Sequence, residues 1–169
     1  HDAAVLAGGE SGDVHRVVLA GGVAHHLDRV GGADEAAKKR AGQRDSVKAV
    51  RQHGFGGPDV LCYEDAPMPV LKPGEVLVRV HAVGINPPDW YLRDGYKMLP
   101  PQWQPKVSFP LILGTDVSGV IDAVADDVKD FSVGDAVYSM VRFPSGLAGD
   151  SRAYAEYVSV PASEVALKP

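Results

Sequence analysis

Short apolar runs separated by glycine and proline are what most constrain this chain, because from Val47 onward they recur with no amphipathic helix of ordinary length between them. Residues 47–53 read as a strand and are followed by Phe55-Gly56-Gly57-Pro58, where glycine permits positive φ and proline presets a corner. Residues 60–64 are therefore expected to return antiparallel. Lys72-Pro73-Gly74 marks a second turn, and residues 75–83 behind it are rich in valine, with Arg79 and His81 two positions apart. That is the pattern of a strand with one wetter face, on which His81 is expected to be half-buried. Residues 111–124, 135–141 and 153–160 read as further strands, and the proline-rich stretch 99–110 as a loop. One short helix is predicted over 88–93, with proline in its first turn and Gly95 at its end. Many short strands and few helices predict a mainly β domain, a barrel or a sandwich.

Residues 1–46 have a different alphabet, with no Phe, Tyr, Trp, Ile or Pro, and the pairs Gly8-Gly9, Gly21-Gly22 and Gly31-Gly32 interrupt any helix longer than residues 33–40. The folded domain is expected to span 47–169, and residues 1–46 to be a disordered extension or an over-extended reading frame. His25, His26 and Asp28 lie in this glycine-rich tract and are read as solvated rather than metal-ligating. Deleting the segment should lower stability by less than about 1 kcal/mol, which thermal unfolding of the shortened chain checks.

Seventeen basic and 22 acidic residues are mixed along the chain, giving a net charge of −5 and no basic face for a phosphate backbone. Nucleic acid is not an expected partner. No apolar run reaches the roughly 20 residues of a membrane span, and the start has no signal-peptide pattern, so a cytoplasmic protein is expected. Cys62 is the single cysteine. It can form no internal disulfide and no zinc framework built on two or four cysteines, and a buried apolar role is expected for it. Neither Ser118 nor Ser145 stands in a Gly-x-Ser-x-Gly elbow. After Val47 no Gly-x-Gly-x-x-Gly links a strand to a helix; Gly54-Phe55-Gly56-Gly57 lies between two predicted strands and reads as a hairpin turn.

Four motifs in order carry a resemblance: Lys72-Pro73-Gly74-Glu75-Val76-Leu77-Val78-Arg79-Val80, then Gly84-Ile85-Asn86-Pro87-Pro88-Asp89, then Leu113-Gly114-Thr115-Asp116-Val117-Ser118-Gly119-Val120, then Val133-Gly134-Asp135-Ala136-Val137-Tyr138. Over residues 47–169 the chain resembles the amino-terminal domain of the medium-chain dehydrogenase/reductase superfamily, in its zinc-independent quinone oxidoreductase branch. The resemblance implies a GroES-like, partly open β-barrel with short helices. Residues 156–162 resemble the family's final barrel strand and residues 166–169 the linker before its Rossmann domain, which is expected to be absent from this chain.

In the alcohol dehydrogenase branch a cysteine and a Gly-His-Glu motif hold a catalytic zinc. Here those positions read Ile85-Asn86-Pro87 and Gly114-Thr115-Asp116, without soft ligands, so no zinc is expected. Hydrogen-bond donors would then stabilise a developing oxyanion, which favours reduction of quinones or activated alkenes. By resemblance Asn86, Asp89 and Tyr91 are the candidate catalytic residues, and Tyr96, Thr115 and Arg142 lie close to substrate or cofactor. From the residues alone, Asn86 equally suits an Asx turn, Asp89 a helix cap, Tyr91 packing, Asp116 a loop support and Arg142 the surface. The implied cofactor is NADPH, held mainly by the other domain. The implied partner is a small quinone or enone, and a homodimer of the full-length protein is left open. A non-catalytic barrel, a pseudogene product and one half of a split enzyme are the alternatives, and the chain alone is expected to be inactive.

Overall fold

The computed structural model describes residues 45–141 and 152–169. Its strands are β1 (Ser46–Gln52), β2 (Leu61–Pro67), β3 (Glu75–Gly84), β4 (Leu111–Ile112), β5 (Asp116–Val124), β6 (Ala136–Met140), β7 (Tyr157–Pro161) and β8 (Val165–Leu167), with one α-helix, α1 (Pro87–Arg93). Antiparallel pairing arranges them as β2-β1-β4 and as β7-β3-β5-β6-β8. The two sheets do not close on themselves, and the domain is a partly open, mainly β barrel. Among the described residues no helix is long and apolar enough to cross a membrane.

β3 is the central strand. Val76 and Val78 lie in one apolar cluster with Val117, Ile121, Val137, Val158 and Val160, whereas Leu77 lies in another with Val47, Ala49, Ala66, Ile112 and Tyr157. A strand buried on both faces has no need of polar alternation, which is why 76–78 reads as an unbroken apolar run. Its wetter end begins at Arg79. The register with β5 shifts between Val80 and Ala82, and His81, between them, is exposed rather than half-buried.

The sheets are stitched by the residues just before β7. Tyr154 N–H donates to the Leu113 carbonyl at 3.0 Å, while the Tyr154 carbonyl accepts from Val50 N–H at 2.8 Å. Glu156 N–H donates to the Lys48 carbonyl at 2.9 Å, and its own carbonyl accepts from Val80 N–H at 2.8 Å. One short segment thus satisfies backbone groups of both sheets.

Further expectations change. Residues 111–124 are not one strand: Gly114, at φ +99°, breaks the extended path, so β4 pairs with β1 while β5 pairs with β3 and β6. Residues 153–156 are the stitching segment, and the regular strand starts only at Tyr157. β8, Val165–Leu167, runs into the expected linker at residues 166 and 167 and pairs with the edge of β6. Cys62 is exposed, because among the described residues β2 is paired only with β1 and buries only Ala66. At the amino-terminal side, Ser46 already belongs to β1, and Met68 N–H donates to the Asp45 carbonyl, so ordered pairing starts slightly before Val47 and the deletion of near-zero cost is that of residues 1–44.

Candidate active site

The site is built on α1, and the local sequence explains why a helix of seven residues stands there. Asn86 is the extended N-cap residue, and Pro87 and Pro88 occupy first-turn positions whose N–H groups would have no helical partner in any case. Asp89 reaches back, its Oδ2 accepting the Asn86 backbone N–H at 2.8 Å, one arm of a capping box. At the other end Gly95 N–H donates to the Leu92 carbonyl at 3.0 Å and Tyr96 N–H to the Tyr91 carbonyl at 2.7 Å. These are the paired bonds of a Schellman ending, made accessible by Gly95 at φ +82°. Leu92 is buried with Leu111 and Leu113 and fixes the inner face.

This ending has a consequence for the aromatic residues. Folding Tyr96 back over the last turn brings its ring to 5.8 Å from that of Tyr91, which lies 4.1 Å from Trp90. Tyr91 and Tyr96, expected as a candidate and its neighbour, are therefore one aromatic group.

Asn86 is held as well as Asp89 is. Its Nδ2 donates to Asp116 Oδ2 at 2.6 Å, tying the helix N-terminus to the first residue of β5. Asp116 thus supports a side chain rather than a loop backbone. Gly84 leaves room for the pair, since a Cβ there would lie 3.0 Å from Asp116 Oδ2 and 3.4 Å from Asn86 Nδ2. One Asn86 amide hydrogen is engaged, and the carboxamide plane is set by that bond.

Asp89 is 3% exposed. Besides Asn86 N–H it accepts the Tyr154 hydroxyl at 3.1 Å and a backbone hydrogen bond from Gly114. Desolvation raises its pKa above 3.8; the three hydrogen bonds pull it down, and Asp116 pushes it up. The same burial raises Tyr154 and Tyr96, with Asp89 adding to both, and lowers Arg152.

A carboxyl with a raised folded-state pKa keeps a proton that the unfolded chain has already released. Stability then falls as pH rises through the window that starts near 3.8 and ends at the raised value. Asp89→Asn removes the titration. Urea midpoints measured between about pH 4 and neutrality should therefore show the wild type losing stability relative to Asp89→Asn as pH rises. An opposite slope would show that the hydrogen bonds outweigh the burial.

Thr115 is buried, and its carbonyl accepts Val141 N–H at 2.5 Å, joining the β5 entry to the end of β6. Arg142 lies outside the described residues. Asn86, Asp89, Tyr91, Tyr96 and Asp116 are gathered around α1, but Tyr154 and the buried Arg152, whose charge acts on Asp89 and Tyr96, were not anticipated. Tyr154 falls in a stretch read as plain strand and Arg152 just before it, and nothing local to Arg152-Ala153-Tyr154 announces a contact 65 residues back in sequence.

The described residues do not fit the pyrophosphate of a dinucleotide. Pro87 and Pro88 have no N–H to offer at the start of α1, and that of Asn86 is spent on Asp89. Among the described residues no three His, Cys, Asp or Glu side chains converge as a metal site. The arrangement offers an oriented amide, tyrosine hydroxyls and a group of mutually tilted aromatic rings, suited to an oxygen-bearing ring compound.

Residues 72–169 match the alcohol dehydrogenase GroES-like domain. The Homo sapiens quinone oxidoreductase is 38% identical over 112 residues, which is 66% of this chain and 30% of that protein. Among solved structures, the quinone oxidoreductase from Coxiella burnetii has a TM-score of 0.61 at 29% identity, covering 73% of this chain and 37% of the other. The Escherichia coli quinone oxidoreductase complexed with NADPH has a TM-score of 0.56 at 28% identity, covering 72% and 33%. The chain spans about a third of the length of the proteins it matches. With this match over residues 72–169 and a partly open barrel, the chain belongs to the alcohol dehydrogenase GroES-like family, as an amino-terminal domain of the quinone oxidoreductase-like, medium-chain dehydrogenase/reductase type.

Proposed function

We propose that this domain is the substrate-side wall of a zinc-independent oxidoreductase that reduces quinones or enones with NADPH. The observation that carries this reading is the clustering around α1 of Asn86, with its amide fixed by Asp116, and the Trp90-Tyr91-Tyr96 aromatic group. The names of the relatives, and the NADPH bound in the Escherichia coli neighbour, support the same class of reaction. When bound, reduced nicotinamide supplies hydride. This chain's part is to hold the acceptor. A quinone ring lies against the tyrosine faces, and its oxygen takes hydrogen bonds from the second Asn86 amide hydrogen and from the Tyr91 hydroxyl. As negative charge grows on that oxygen, both bonds strengthen without any side chain having to move, because Asn86 is already oriented.

The test is NADPH oxidation dependent on a quinone or enone, measured with this chain joined to the cofactor domain of a full-length relative. Turnover is expected from the joined protein and none from the chain alone. Turnover by the chain alone would place a dinucleotide site within it.

A further inference from the structure

We propose that Tyr154 is a positioning residue for the α1 site, its hydroxyl holding Asp89 and thereby fixing Asn86 and Tyr91 over the turn between β4 and β5. The catalytic consequence rests on the reductase reading above; the structural part does not.

A helix of seven residues is too short to persist in water by its own hydrogen bonds, so its position is set by what it is tied to. Leu92 anchors the inner face, and Arg93 Nε donates to the Gly56 carbonyl at 3.2 Å near the C-terminal end. The N-terminal end, which carries Asn86, depends on two carboxylates: Asp116 from β5 and Asp89 from the helix itself. Asp89 can anchor only if something outside the helix holds it, and among its side-chain partners that is Tyr154. The same Oδ2 accepts both the Tyr154 hydroxyl and the Asn86 backbone N–H, so one atom links the two residues.

Tyr154 is suited to this because it cannot move. Its backbone bonds Leu113 on one side and Val50 on the other, and its ring packs against all three apolar clusters. The ring lies over Gly114 so closely that a Cβ there would come within 2.4 Å of Cδ1, and Gly114 itself supplies a backbone hydrogen bond to Asp89. The hydroxyl therefore projects from the junction of the sheets to a single place. Arg152, Tyr96 and Asp116 are the other charged or titratable groups acting on Asp89.

Tyr154→Phe keeps the ring and removes only the donor. In the whole chain, carbon-13 titration of the Asp89 carboxyl should show a midpoint higher than in wild type, because a hydrogen bond to its charged form is gone. The Asn86 side-chain amide signals should shift, and amide exchange at Gly95 and Tyr96 should quicken about fivefold, as loss of one hydrogen bond in the anchor implies. Tyr138→Phe, on the exposed side of β6, should change none of these. In the joined enzyme, Tyr154→Phe should lower kcat about tenfold with KM within about twofold of wild type, the mark of a misplaced rather than a lost binding group. An unchanged Asp89 midpoint together with unchanged Asn86 signals overturns the proposal, whatever the enzyme does. Shifted signals with wild-type kcat overturn its catalytic part. If the wild-type joined protein reduces no quinone or enone but the signals shift, the functional reading fails and the anchoring stands.

Discussion

Replacing Gly119 by alanine is expected to destabilise the domain by about 3 kcal/mol or more. Gly119 lies in β5 opposite Val80 of β3, next to the register shift that leaves His81 outside the ladder. A Cβ built there would sit 2.1 Å from the Arg79 carbonyl oxygen and 2.8 Å from Val78 Cγ1. The first of these is backbone, so no rotamer change relieves it, and β3 and β5 would have to part. Those strands form the middle of the larger sheet and cover the principal apolar cluster. Urea or thermal unfolding measures the loss. A useful contrast is Gly54→Ala, where a Cβ meets nothing within 4 Å and the change should lie within about 0.5 kcal/mol.

The second large effect is on catalysis. In the joined enzyme, Asn86→Ala should lower kcat/KM on the order of 10²-fold, or about 2.7 kcal/mol of transition-state stabilisation, as loss of one preorganised donor to an oxyanion does. Tyr91→Phe should lower it less, by about 10-fold, because the ring that supports the substrate stays. Arg93→Ala, bonded to Gly56 at the opposite end of the helix from Asn86, should change kcat/KM by less than about threefold. Equal losses from all three would mean that the helix had merely been loosened. No loss from Asn86 or Tyr91 would remove both from the site while leaving the fold assignment intact.

The sequence was a good guide wherever a local rule decides the outcome. Pro87, Pro88 and Gly95 bracket α1 because the absence of an N–H and tolerance of positive φ are properties of single residues. β1, β2, β3 and β6 lie close to their expected positions for the same reason: turn residues punctuate them. The errors share a cause of another kind. Gly114 sits inside an apolar run and could be read as a small strand residue; that it changes sheets there depends on β1 being available to pair with β4. Val165–Leu167 becomes a strand only because β6 offers an edge. His81 is exposed by a register shift set by β5, and Cys62 by β2 having one neighbour. At the site, Asn86, Asp89, Tyr91 and Tyr96 lie within one helix and its cap, so their proximity follows from helical periodicity. Tyr154 and Arg152 reach Asp89 across the fold, and no spacing rule relates residues brought together by tertiary packing.

The stitching segment also dictates an order of events during synthesis. Lys48 N–H donates to the Glu156 carboxylate across 108 residues of sequence, and the Ala49–Ala155 bridge and the Val50–Tyr154 bond accompany it. While a ribosome makes this chain, β1 and β2 can form a hairpin early, but the far edge of β1 has nothing to pair with at residues 48–50 until those late residues emerge. Contacts so distant are slow to form, because the entropy of closing the loop is lost before any bond rewards it. The nascent domain therefore carries an open strand edge through most of its translation, a period in which a neighbouring chain could take the place of residues 154–156.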